Sequence, residues 1–182
     1  SSDFYAISID RNRYKESLFP GSLTLRLSGS ISQSRGSALT LTDNSQIVTT
    51  TQFNDAGRVF QIVSGSAGTV FTGVNNNGYS LASGSYGFFL PDIATILLNP
   101  RALTSGVTGI SASFAGLKPV TTTNADGNNP GRLIKAISSS AITAANGTGN
   151  LPFTLNSQEN ITSDFIFVRP RSSEYNYSSN PW

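Results

Sequence analysis

The sequence contains no histidine, no cysteine and no methionine. Without imidazole a Ser-His-Asp triad and a Cys-His pair are both impossible. With thiol missing as well, a structural zinc site has no ligands. The lack of cysteine excludes disulfides and leaves the redox compartment undeclared. The lack of Met at residue 1 points to a processed chain or to a segment of a longer protein. Charged residues are scarce at 12%, about half the usual ~25% share. The hydrophobic fraction, 37%, is also low, but disorder pairs low hydrophobicity with high charge, which is missing here. No apolar run approaches the ~18 residues of a membrane span, and no signal-peptide pattern opens the chain. A net charge of +2 with a pI near 9.1 reflects a small surplus among few ions rather than a nucleic-acid footprint. Neither a membrane nor a nucleic acid is an expected partner.

What fills the gap is Ser, Thr, Asn and Gly. Neutral polar surface carries a smaller desolvation penalty than ionised surface, so it is readily covered by another protein. The 182 residues suit one domain.

Strand signals recur along the chain. Phe4–Ile9 mixes aromatic and β-branched residues. Pro20-Gly21 marks a turn, and Ser22–Ser28 then alternates strictly, with Leu23, Leu25 and Leu27 on one face. Short strands are expected at Ala38–Thr42, Gln46–Gln52 and Arg58–Val63, separated by Asp43-Asn44-Ser45 and Asn54-Asp55-Ala56-Gly57. Asn77-Gly78 suits the two positive-φ positions of a type I′ turn. Phe88-Phe89-Leu90 and Ile93–Leu98, ending at Asn99-Pro100, are expected in the core. Arg132–Ser138 is the helix candidate, through Leu133, Ile134 and Ile137. Ile161–Val168 reads as a last long strand. The pattern predicts a mainly β fold, an antiparallel β-sandwich or barrel-like domain with long polar loops and at most one short helix. The expected organisation is a single domain over residues 1–170 and an extended tail over 171–182 that docks on a neighbour.

Catalytic motifs are near misses. Ser83-Gly84-Ser85-Tyr86-Gly87 lacks the first glycine of a nucleophile elbow and has no base. Asp126-Gly127-Asn128 runs into Pro130-Gly131 instead of continuing as a calcium loop. No phosphate-binding or dinucleotide fingerprint is present, so no cofactor is expected. Glycosidase chemistry needs only two carboxylates, but Glu16 lies beside Arg13 and Lys15, and Glu174 near Arg171. Pairing of that kind lowers a carboxyl pKa, whereas a general acid needs it raised. The chain is therefore expected to be no enzyme.

Two features suit binding. Arg11, Arg13 and Lys15 alternate with Asn12 and Tyr14, and an extended backbone would put all three cations on one face. An edge blunted by charge gives the same pattern. The second feature is the tail, where Arg169, Arg171, Tyr175, Tyr177 and Trp182 are residue types favoured at interfaces. These eight residues are the candidate subunit-interface set.

Three blocks resemble one family. They are Asp3–Gly21, with its aromatic-aliphatic strand running into Arg11-Asn12-Arg13-Tyr14-Lys15-Glu16 and then Pro20-Gly21; Gly87–Pro100; and Phe165–Arg169 with Glu174–Pro181. In this order they are similar to segments of large virion structural proteins, of tail or baseplate type, in T4-like myoviruses of marine cyanobacteria. The resemblance spans most of the chain, and the loops between the blocks are not distinctive. It implies a structural role in a phage particle, in the tail or baseplate with the head left open, among other virion proteins and copies of itself. It carries over no catalytic residue. A carbohydrate-binding adhesin is the alternative, with Tyr79, Tyr86 and Trp182 as the aromatics that would stack on a glycan.

Overall fold

The structure, a computed structural model, describes residues 3–28, 38–71, 85–104, 117, 128–138, 140 and 151–169. Its main feature is an antiparallel sheet curled into a half-barrel, in keeping with the expected mainly β, barrel-like class. The described strands are β1 (Tyr5–Ser8), β2 (Ser17–Leu18), β3 (Thr24–Ser28), β4 (Ala38–Asp43), β5 (Gln52–Asn54), β6 (Gly57–Ser66), β7 (Thr69–Val70), β8 (Gly87–Leu90), β9 (Thr95–Leu98), β10 (Phe153–Thr154) and β11 (Ser157–Gln158). The helices are α1 (Pro100–Thr104) and α2 (Asn129–Ser138). The sheet runs β1-β9-β8-β6-β4-β3-β10, with β5 and β7 pairing onto β6, while β11 and β2 form a separate pair.

The alternating leucines behave as their period dictates. Leu25 lies opposite Leu41 and Leu27 opposite Leu39, and Leu23, Leu25, Leu27 and Leu41 are fully buried. The same core takes Ile62, Phe89, Ile96 and Leu98 from the neighbouring strands, with Leu103, Leu117 and Leu133 closing over it. The polar residues of β3 and β4 are not all in water. Thr24 and Thr42 are buried on the other face and Asp43 at the end of β4, and each has a backbone partner. The Thr42 hydroxyl donates to the Leu23 carbonyl at 2.7 Å, and the Asp43 carboxylate accepts from the Gly21 amide at 2.8 Å. Those bonds offset the cost of burying polar groups.

Turn chemistry sets the registers. Asn54 pairs with Gly57 around a two-residue hairpin loop, the Asn54 side chain accepting from the Ala56 amide at 2.8 Å. A type I′-like turn at Ala67-Gly68 has both φ values positive, 48° and 78°. Alanine is unfavourable there. The turn is held from outside, since the Thr24 hydroxyl accepts from the Ala67 amide and that of Thr42 from the Gly68 amide. The expected Asn77-Gly78 turn lies outside the described residues.

Three expectations are corrected. Gln46–Gln52 is not a strand but turn and bend, with only Gln52 entering β5. The amides of Ile47 and Val48 bond back to the Asn44 carbonyl, because Asp43 and Asn44 spend their side chains on nearby backbone and bend the chain. A second helix, α1, follows Asn99-Pro100, where only a stop was expected. Asn99 caps it through a bond from the Arg101 amide, 3.0 Å, and Pro100 occupies the first turn, where its missing N–H costs nothing. The third is Ile161–Val168, which joins no strand.

Candidate functional site

The basic segment is built differently from its extended expectation. Asp10 caps a 3₁₀ turn over Arg11–Arg13, its carboxylate accepting from the Asn12 amide at 2.9 Å. A helical turn abolishes the period-two alternation, so Arg11, Arg13 and Lys15 do not line up on one strand face. The Arg11 guanidinium turns back over the Tyr14 ring, 4.7 Å from its centroid, and donates to the carbonyls of Tyr14 and Lys15. Lys15 reaches Glu159 at 3.5 Å, with both side chains largely in solvent. Arg13 is exposed, and its guanidinium has no partner among the described residues.

The loop is a clasp as much as a surface. The Glu16 amide donates to the Gln158 carbonyl and that of Phe19 to Asn156, at 3.2 and 2.8 Å. The Asn160 amide donates to the Glu16 carboxylate at 3.1 Å. Together with the β2–β11 pair, these bonds fix residues 156–160 against residues 16–19. Glu16 and Glu159 are thereby tied into this contact, one on a backbone amide and the other on Lys15.

Beyond the clasp the chain leaves the protein. Residues 159–169 are all exposed, and Ile161, Phe165, Ile166, Phe167 and Val168 are between 81% and 94% accessible. The signal that predicted a strand, β-branched and aromatic residues in sequence, reports propensity. A strand also needs a hydrogen-bonding neighbour, which the described chain does not give these residues. Scattered exposed apolar residues are ordinary, but here four follow one another from Phe165 to Val168. Arg169 is the last described residue of this arm. Arg171, Tyr175, Tyr177 and Trp182 lie outside the described residues.

On the sheet, β1 is an edge strand. It pairs with β9 on one side, and no described strand covers the other. Beside that open edge lies a groove of about 670 Å³ between β1 and α2, lined among others by Phe4, Ile7, Pro130, Leu133, Ile134 and Ile137. Phe4 and Ile134 are each 65% exposed. At the groove's inner wall the Tyr5 hydroxyl donates to the Leu117 carbonyl at 3.0 Å. Burial raises the Tyr5 pKa, and the nearby Arg132 charge partly opposes that rise. The groove had no single sequence signal, because its two walls come from segments far apart in the chain.

Tyr86, one of the aromatics of the glycan alternative, is fully buried and offers no stacking face. Tyr79 and Trp182 lie outside the described residues. Among the described residues no three Asp and Glu side chains gather into a metal-holding cluster, and no helix is long and apolar enough to cross a membrane. Comparison with protein-family models, with curated proteins and with solved structures yields no match to this chain.

Proposed function

We propose that this chain is a non-enzymatic structural component of a phage virion, of tail or baseplate type, that works by packing against neighbouring subunits. The observation that carries this reading is the arm at Ile161–Val168, whose five large apolar side chains are left in solvent. Folding of the domain gains nothing from them, so their benefit lies in a contact outside it. The sparse charge agrees, because a surface of hydroxyls and amides loses little when covered. The resemblance of the three sequence blocks supplies the virion context. In a particle, modest contacts are multiplied by symmetry and avidity.

Incorporation of variants into particles tests this reading. Replacing Phe165 and Phe167 with Asp is expected to abolish incorporation, measured by mass spectrometry of purified virions. The Arg11→Ala/Arg13→Ala/Lys15→Ala variant is expected to reduce it while the chain still folds. Normal incorporation of both variants would remove the intersubunit role. Turnover of a polysaccharide by the isolated chain would replace it with a catalytic one.

A further inference from the structure

The arm and the groove are complementary halves of one contact, and this inference rests on the assembly role proposed above. We infer that residues 161–169 of one copy add as a strand to the open β1 edge of a second copy, with Phe165 and Phe167 entering the groove beside α2.

The backbone geometry sets the terms. The Ile9 amide donates to the Ala94 carbonyl at 3.0 Å, continuing the register that pairs Tyr5 with Leu98 and Ile7 with Ile96. In an antiparallel ladder hydrogen-bonded residues alternate. Tyr5, Ile7 and Ile9 therefore turn their amides and carbonyls toward β9, while Phe4, Ala6 and Ser8 turn theirs toward the open edge. An antiparallel arm set with Arg169 beside Asp3 brings Val168, Ile166 and Asp164 opposite Phe4, Ala6 and Ser8. The same register places Phe167 opposite Tyr5 and Phe165 opposite Ile7. Opposed residues share a sheet face, so both phenylalanines lie on the face carrying the half-buried Ile7 and the α2 side chains Ile134 and Ile137. Backbone pairing and apolar filling are met by one register.

Size agrees as well. Nine extended residues span roughly 30 Å, longer than the β1 edge. Two phenylalanines present roughly 300–500 Å². Val168 and Ile166 lie on the opposite face of that strand, where Val168 meets the exposed Phe4 across the pair. The occupant is a second copy because the single chain leaves its own arm in solvent while no described strand pairs with its own β1 edge beside the groove, with the root of the arm fixed by the clasp at residues 156–160. Reciprocal exchange closes a two-fold dimer, whereas one-way exchange extends a chain of subunits.

The absence of native cysteine makes the test specific. Ala6→Cys and Ile166→Cys are prepared as separate full-length proteins, mixed and oxidised. A disulfide between the two proteins is expected, since directly opposed residues lie within disulfide reach. Sedimentation should show self-association of the unmodified chain, weakened about 100-fold or more by Phe165→Asp/Phe167→Asp, with circular dichroism unchanged because both residues are exposed. A monomer at every concentration, self-association indifferent to the arm substitutions, or a disulfide formed only within one chain when both cysteines are on it would overturn the exchange. Incorporation is a separate readout. Exchange in solution without entry into particles would sink the virion role and leave the exchange standing. Entry into particles without exchange would do the reverse.

Discussion

Leu23–Leu27 and Ile161–Val168 are both short apolar segments with strand-forming residues, yet they end in opposite environments. The first has its leucines at zero exposure and is flanked in the sheet by β4 and β10. The second is exposed throughout and pairs with nothing in the described chain. Composition does not separate them; the presence of a hydrogen-bonding neighbour does. A hydrophobic segment stabilises the domain only where a second surface removes it from water, so the arm as it stands contributes little to the domain's stability.

Substitution can break this comparison, and the largest effect is expected in the ladder. Leu25→Ala or Leu41→Ala should cost about 2–5 kcal/mol by lost burial and cavity formation, read as a lower urea midpoint. Phe167→Ala at a concentration where the chain is monomeric should change stability by less than about 0.5 kcal/mol, read from the same midpoint. Equal losses at the two places would end the distinction.

A smaller effect is expected at Asp92, which joins the β8–β9 turn to the start of β6. Its carboxylate accepts from the Arg58 guanidinium at 2.7 Å and from the Arg58 amide at 2.7 Å. These bonds, led by the one to the Arg58 side chain, hold the Asp92 pKa below its ordinary value of 3.8 against the opposing effect of burial. Because the folded pKa is the depressed one, the stabilisation is complete above the ordinary value and is lost as pH falls through the folded one. Asp92→Asn should cost about 1–2 kcal/mol at neutral pH. That difference should shrink as urea midpoints are followed from about pH 5 down to about pH 2. A gap that stayed constant would mean that the charge plays no part.

An effect smaller than that at Asp92, and of opposite sign, is expected at the strained turn. Ala67→Gly should relieve the positive φ and raise stability by about 0.5–1 kcal/mol, provided the Thr24 and Thr42 bonds persist. An unchanged or lower melting temperature would show that those bonds already offset the strain.

Legibility in the sequence followed locality. The Leu23–Leu27 face, the Asn54–Gly57 hairpin and helix α2 were readable because each is specified within a few neighbouring residues. Gln46–Gln52 is a turn despite its strand propensity because the Asp43 side chain accepts from the Ser45 amide and the Asn44 carbonyl from those of Ile47 and Val48. Helix α1 was signalled by Asn99-Pro100, a cap and first turn as well as a stop. The Ala67-Gly68 turn carried little warning, since its geometry is imposed by threonines on other strands. The shared face of the basic triplet depended on continued extension, and Asp10 caps a helical turn there instead. The groove was invisible because β1 and α2 meet only after folding. The arm's residues carry strand propensity, but the described chain supplies no strand to pair with them.

The clasp at β10 and β11 also orders events in time. These strands tie residues 153–158 to β3 and β2, so the sheet is complete only after they have been synthesised, and the arm follows directly behind them. At ribosomal speeds of about 5–20 residues per second, the delay between the last clasping strand and the end of the arm is on the order of a second. Chain order thus acts as a clock: the apolar arm emerges only after nearly all of the described sheet has been made.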